Sequence, residues 1–399
     1  MLKRVSPDAA PAAQDAGIDW IARAREVAPV IAAAADVIER DRELTHEVLS
    51  ALHDRQLFRL LLPRSCGGAE VEPAVCVGVI EEIAKADAST AWCLGQACGG
   101  SMAAAYLKAE VAHDIFGGQG AIVASGPSFG TAVAVAGGYR ATGAWAFASG
   151  SKHATWLAAH CLVHDPDGTP RRDAEGNPIE RTMFFPKASA TFTDIWDVIG
   201  LKGTGSDKYA VHDLFVPADH SYTRESAAER RETGPLYRIS HYHVLGAGFA
   251  GVALGIARAS LDSFIALARE KTPYYGARLR DSASIHYQVG VAETRLQAAR
   301  MFLLQTLRDV WNAVAAGESL SVDQRALLRM AITHASHQSR KVVDTVYHAS
   351  GATAIFAGSP FERRFRDMHA VSQQVQAHAS NFELVGQHLL DLKPKSKFL

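Results

Sequence analysis

The sequence predicts an α+β chain of several domains: a helical part, a β part, and a second helical part that ends as a four-helix bundle. Three observations carry this. Apolar residues recur near the 3.6-residue period from position 18 to about 116. Short β-prone runs then alternate with Gly, Pro and Asp turns as far as 219. Four long helical segments follow, 243–271, 284–316, 322–350 and 361–390. At 399 residues the chain is long enough for two or three domains and needs no metal or disulfide to fold.

Each element has a local reason. Trp20, Ala24, Val27, Ile31, Ala34 and Ile38 form one apolar stripe. Thr45 is a suitable N-cap for a second helix whose apolar set is Val48, Leu49 and Leu52. Gly67 and Gly68 mark a turn, and helices are expected over 73–86 and 89–106. In the β part the expected strands are 121–124, 139–147, 156–164, 182–185 and 211–216, with the sequence Asp165, Pro166, Asp167, Gly168 as one turn. Their spacing suits a barrel or small sandwich. The charged segment 224–232 is either an exposed linker or a short helix. The expected division is a tail (1–17), a helical domain (18–120), a β domain (121–220), a linker (221–239) and a bundle (240–399).

Composition narrows the partners. Forty-one basic and 42 acidic residues give a net charge of −1, so nothing favours a nucleic-acid backbone. The five cysteines form no CxxC pair and suit a reducing compartment. Residues 1–17 lack the apolar core of a signal peptide, and no run approaches 18 uninterrupted apolar residues. A cytoplasmic protein with no membrane span is expected.

Several strings carry more. LFRLLLPRSCGG at 57–68, EEIAKADAS at 81–89, WAFASG at 145–150, IGLKGTGS at 199–206 with DLFVP at 213–217, and FERRFRD at 361–367 occur in that order. Together they resemble the acyl-CoA dehydrogenase superfamily along nearly the whole chain. The resemblance implies that superfamily's fold: an N-terminal helical domain, a middle β-barrel domain and a C-terminal four-helix bundle. It implies a tetramer and a flavin cofactor. It places Ser149 at the flavin N5, with Trp145, Phe147 and Gly150 beside the ring and Trp92 as a further aromatic. Ser206, at the exit of the β domain, joins this cofactor set. Independently, a serine after an aromatic strand can aim its hydroxyl at a ring edge, and Gly150 permits a close approach. Arg269, Tyr275, Gly276 and Gln288 resemble the region that reaches the flavin of a neighbouring subunit, and Gly351, in a stretch that resembles the last helix pair, joins the cofactor set.

Position 375 separates the branches. Dehydrogenases of the superfamily carry a catalytic Glu there, whereas this chain has Val375, which cannot accept a proton. The sequence looks more like the reduced-flavin-dependent monooxygenases, a group that includes p-hydroxyphenylacetate hydroxylase and dibenzothiophene monooxygenase. That resemblance implies reduced FMN or FAD delivered by a separate reductase, a C4a-hydroperoxyflavin formed with dioxygen, and hydroxylation of a small aromatic substrate. An acyl-CoA dehydrogenase or flavin oxidase of the same fold is the alternative, and a non-catalytic scaffold the second.

Two histidines usual in that branch are absent: Gln374 and Gly100 occupy their positions. His369 lies five residues before Gln374, roughly 140° away if the helix continues, so it either lines the pocket from another side or caps the core. With Gln373, Gln374 and Gln376 nearby, a neutral indole-like ring is favoured over a phenol that must be ionised. The pairs His241 with His243 and His334 with His337 lack a companion carboxylate, so no metal is expected. GxGxxG at 246–251 lies in a helical stretch and reads as close helix packing.

Overall fold

The computed structural model describes residues 17–274 and 276–392. Its N-terminal part holds α1 (Trp20–Asp41), α2 (His46–Asp54), α3 (Pro73–Ala86), α4 (Ala88–Ser101) and α5 (Ala109–Phe116). Every member of the apolar stripe on α1 is buried, and Thr45 caps α2 by accepting from the Val48 N–H. Asp87 ends α3 and starts α4, its carboxylate accepting from both N–H and O–H of Thr90.

Eight strands follow: β1 (Val123–Ser125), β2 (Gly130–Val135), β3 (Gly138–Trp145), β4 (Trp156–His164), β5 (Glu180–Pro186), β6 (Thr191–Thr193), β7 (Lys208–Pro217) and β8 (Ser221–Tyr222). They make one sheet in the order β6-β7-β3-β2-β4-β5-β8, with β1 beside β4. The barrel-or-sandwich expectation thus resolves to a single sheet. Short strands β2 and β6 had no strong sequence signal, since β2 is built from Gly, Thr, Ala and Val that alternate only weakly. Segment 224–232 forms no helix; Arg181 pairs with Glu229 and Arg224 with Glu180.

The C-terminal part contains α6 (His241–Glu270), α7 (Ala283–Ala315), α8 (Val322–Ser350), α9 (Pro360–Val371) and α10 (Ser380–Leu389). Helix α6 is the axis, packed on α3, α4, α8 and α9. It is apolar enough by length and composition to cross a membrane, but 94% of its apolar window lies buried inside the fold. Its small residues allow near contact with α3: a Cβ on Gly255 would sit 2.4 Å from the Glu81 carbonyl. Within the GxGxxG letters, a Cβ on Gly251 would stand 3.1 Å from the Val77 carbonyl and one on Gly246 3.0 Å from Gln376 Cγ, so these glycines serve packing, as their helical context implied.

The expected last helix, 361–390, is broken. Helix α9 stops at Val371, a single 3-10 turn covers Val375–Ala377, and α10 begins at Ser380. Tertiary bonds hold the break. Asn381 donates to the carbonyls of Val375 and Gln376, Thr333 donates to Gln376, and the His337 Nε2 meets the Ala377 carbonyl at 2.9 Å.

Candidate functional site

The site begins where β3 ends. Trp145, its last residue, is 0% exposed, stacks on Tyr209 with centroids 5.3 Å apart, and donates to the His160 carbonyl. No surface of this indole is left for a cofactor; it is a core residue of the β domain. Two residues on, Phe147 takes a left-handed backbone (φ 58°), which costs about 1–2 kcal/mol for a residue with a side chain. Its ring is consequently thrown outward, 59% exposed, edge-on to Trp196 at 5.9 Å. The turn is pinned from below: Ala148 N–H donates to the Asp207 carbonyl and Gly150 N–H to that of Thr204. Gly150 has φ 76°, and a Cβ there would press on His153 Nε2 at 3.0 Å.

Ser149 lies at the centre, 7% exposed. Trp92 Nε1 donates to its Oγ at 3.0 Å, and that Oγ lies 2.7 Å from Ser206 Oγ. Ser206 in turn meets Thr204 Oγ1 at 2.7 Å, and Thr204 donates to the Leu201 carbonyl at 2.8 Å. Trp92 is held by stacking on Phe249 of α6, with centroids 3.9 Å apart and planes 9° from parallel. Thus Trp92, Ser149, Gly150 and Ser206 come together, and Thr204, which the sequence did not single out, joins them.

Asp367 of α9 anchors the loop bearing Thr204 and Ser206 by accepting the Leu201 N–H at 2.7 Å. Burial pushes its carboxyl up to about 7, opposed by the Leu201 bond. A raised native value means that the folded protein holds this proton longer than the unfolded chain. Its stabilising contribution is complete below about pH 4 and is lost as the pH rises through 7. Asp367→Asn keeps the acceptor without the charge. We expect thermal melts of this variant to be nearly flat from pH 5 to 8, where the parent loses up to roughly 3 kcal/mol. Equal pH slopes for both proteins would contradict this.

A strip of partly exposed residues runs beside Trp92. On α4 every residue is buried except Gln96 and Gly100, which with Trp92 form an i, i+4, i+8 stripe. On α6, Leu245 is the one partly exposed residue between His243 and Leu261. It lies one turn beyond His241, also partly exposed. The helices meet at Gly99, where a Cβ would stand 2.9 Å from Leu245 Cδ1 and 3.6 Å from His241 Nε2. Burial, then the Arg224 charge, lower the His241 pKa against the opposing pull of Glu225. His160 of β4 is likewise driven well down by burial, Arg224 and His241. Both imidazoles are therefore neutral near pH 7.

The break after α9 governs the remaining predicted residues. Gln374 no longer lies on the helix of His369, so an angle between them on one helix has no meaning. His369 Nε2 pairs with Asp344 of α8 at 3.0 Å and its ring packs on Phe365. It thereby fastens α9 to α8. Gln374 Oε1 accepts the Gln376 N–H at 2.7 Å, while its Nε2 is buried with no partner among the described residues. Gln376 packs against Gly246, Gln373 is exposed, and the Val375 side chain is 61% exposed.

Arg269, Gln288 and Gly351 are not part of this cluster. Arg269 is 20 residues beyond Phe249 on α6, about 30 Å at 1.5 Å per residue. Gly351 (φ 58°) lies by Lys271 Nζ, and Gln288 on α7 bonds Ser284. Tyr275 lies outside the described residues. Gln96 escaped the sequence reading, although a single polar residue one turn from Trp92 in an apolar helix was a usable signal, and His241 entered it only as half of a metal-like pair.

Comparison with known proteins bears on the family and the fold. Residues 22–112 match the acyl-CoA dehydrogenase N-terminal domain and residues 247–379 the acyl-CoA dehydrogenase C-terminal domain. The chain is 29% identical to indole-3-acetate monooxygenase of Pseudomonas putida, over 90% of this chain and 91% of that protein. It is 27% identical to HsaA, the oxygenase subunit of a flavin-dependent monooxygenase of Rhodococcus jostii, over 88% and 92% of the two chains. The structure of XiaF from Streptomyces sp., in complex with FADH2 and glycerol, superposes with a TM-score of 0.88 at 24% identity, covering 95% of this chain and 97% of XiaF. At that identity the superposition speaks for the fold.

Proposed function

We propose a substrate and site roles for a chain that belongs to the acyl-CoA dehydrogenase family and is an oxidoreductase, the reduced-flavin-dependent oxygenase component of a two-component monooxygenase. The substrate is a small, electron-rich aromatic that reacts without being ionised, of the indole type. The observation that carries this is the partly exposed strip beside the stacked Trp92 and Phe249, where Gln96 and the neutral His241 are the hydrogen-bonding side chains. The name of the Pseudomonas putida relative points the same way.

The residues present fit a flavin. A flat ring with one polar edge needs exposed apolar surface beside a buried polar group, and Phe147 with Ser149 supplies both. Reduced flavin, when bound, supplies two electrons that activate dioxygen so that one oxygen atom passes to the substrate. The protein's own residues do the rest. Ser149 fixes the ring edge; the Trp92–Phe249 stack backs the strip beside it; Gln96 and His241 orient the aromatic ring; and the Gln374 Nε2 provides a further amide donor. Val375 supplies no base, which disfavours proton abstraction from an acyl thioester. The reduced FMN or FAD comes from a separate reductase. Arg269, Gln288 and Gly351, too distant to serve the same flavin, reach that of another copy in a homotetramer.

A second reading rests on His241. A neutral imidazole accepts protons at pH 7, so His241 is the group beside Trp92 that would ionise a phenol. One experiment separates the two. Supply reduced flavin from a generic reductase, offer indoles and phenols under 18O2, and measure labelled product against pH. Faster indole turnover without an acid limb supports the first reading. Faster phenol turnover with an acid limb lost in His241→Gln supports the second. Anaerobic bleaching of oxidised flavin by an acyl thioester would sink both.

A further inference from the structure

Ser149, Ser206 and Thr204 each own one hydroxyl hydrogen, and the ends of their chain are fixed. The Leu201 carbonyl can only accept, so the Thr204 O–H points there, at 2.8 Å. Thr204 has then spent its hydrogen, so Ser206 must donate to Thr204 across 2.7 Å. By the same count Ser149 must donate to Ser206, also at 2.7 Å. At the other end the Trp92 indole can only donate, and it points at Ser149 Oγ. Four bonds therefore run one way, from Trp92 to Leu201. Ser149 keeps one free lone pair and no free hydrogen. Toward any further partner it is an acceptor.

We propose that this one-way relay makes the site selective for the redox state of the flavin, with Ser149 accepting from the N5–H of the reduced form and having no donor for the bare N5 of the oxidised form. The inference rests on the reading that Ser149 meets the N5 edge. To offer a hydrogen to oxidised N5, one link must go without its hydrogen: the Ser149–Ser206 contact if Ser149 turns alone, or the Thr204–Leu201 contact if the whole relay reverses. In the second case Thr204 Oγ1 and the Leu201 carbonyl oxygen would face each other at 2.8 Å with no hydrogen between them. The carbonyl keeps its bond from Trp196 Nε1 at 3.0 Å, so the penalty is confined to that one contact. Losing one buried neutral bond corresponds to about a tenfold change in affinity. Thr204 and Ser206 are accordingly positioning residues that act through Ser149. A component that takes reduced flavin from another protein gains from this, because spent flavin is held less tightly than the incoming form.

The test is equilibrium binding of FMN and FAD, reduced (anaerobically) and oxidised, to the full chain and three variants. The parent should prefer reduced flavin at least tenfold. Thr204→Val removes the hydrogen sink, lets Ser206 donate to Ser149, and frees the Ser149 hydrogen. Oxidised-flavin affinity should then rise about tenfold with the reduced-flavin affinity nearly constant. Ser206→Ala reaches the same end, and Thr204→Ser restores the parental ratio. A merely structural role would weaken both forms together and leave the ratio unchanged, which overturns the proposal, as does a parental ratio near one. Failure of the parent to bind reduced flavin at all would instead overturn the site reading beneath it.

Discussion

Alanine at position 149 should turn a coupled oxygenation into peroxide production. The substitution removes the group nearest the proposed ring edge and strands the Trp92 N–H in a buried setting. Folding should suffer only about 1–2 kcal/mol, the cost of one unpaired buried donor. Function should suffer far more. Losing a single well-placed polar group at a reacting centre costs ten- to several-hundred-fold elsewhere in enzymology. We expect the yield of hydroxylated product per flavin oxidised to fall at least tenfold, with hydrogen peroxide making up the difference. Product by mass spectrometry and peroxide by a peroxidase assay, measured on one reaction, check this. An unchanged yield would reduce Ser149 to a turn residue.

A large loss of stability is expected from Gly200→Ala. A Cβ at Gly200 would lie 2.3 Å from the Arg366 carbonyl oxygen, 2.5 Å from its carbon and 2.8 Å from Asp367 N. These are backbone atoms of α9, which cannot turn aside as a side chain can. Overpacking of this kind costs about 3 kcal/mol or more. The 200–206 loop must lift from α9, breaking the Leu201–Asp367 bond and shifting the carbonyl on which the Thr204 hydroxyl ends. Melting temperature and flavin affinity should therefore fall together. Gly290→Ala is the matched control: nothing lies within 4 Å of the added carbon on α7, and the helix should gain a few tenths of a kcal/mol. If Gly200→Ala melts like Gly290→Ala, the contact with α9 is not tight.

Much of the fold is written in local patterns. The α1 stripe, the Thr45 cap and the WAFASG string could each be read because their causes lie within a few residues. The misread positions have distant causes. Nothing between 366 and 390 breaks a helix by itself, apart from Gly386 near its end; the break comes from Thr333, His337 and Asn381, of which two lie on α8. Trp145 and Phe147, two apart, should share one face of a strand. The positive φ at Phe147 cancels that rule and sends one ring into the core and the other out to solvent. His241 was noticed only as half of a metal-like pair. Its actual importance depends on Gly99, 142 positions earlier, which leaves room for the ring.

The pattern of space along α4 also bears on how such an enzyme diversifies. A side chain added at Gly99 collides with Leu245, but one added at Gly100 meets only the Val123 carbonyl at 3.4 Å. Position 100, and position 96 one turn before it, can therefore vary in size and polarity while the helix keeps its core contacts. A lineage, or a small combinatorial library, that changes only these two codons remodels the strip beside Trp92 without renegotiating the fold. New specificities in this chain are then a few neutral steps apart rather than across a stability valley.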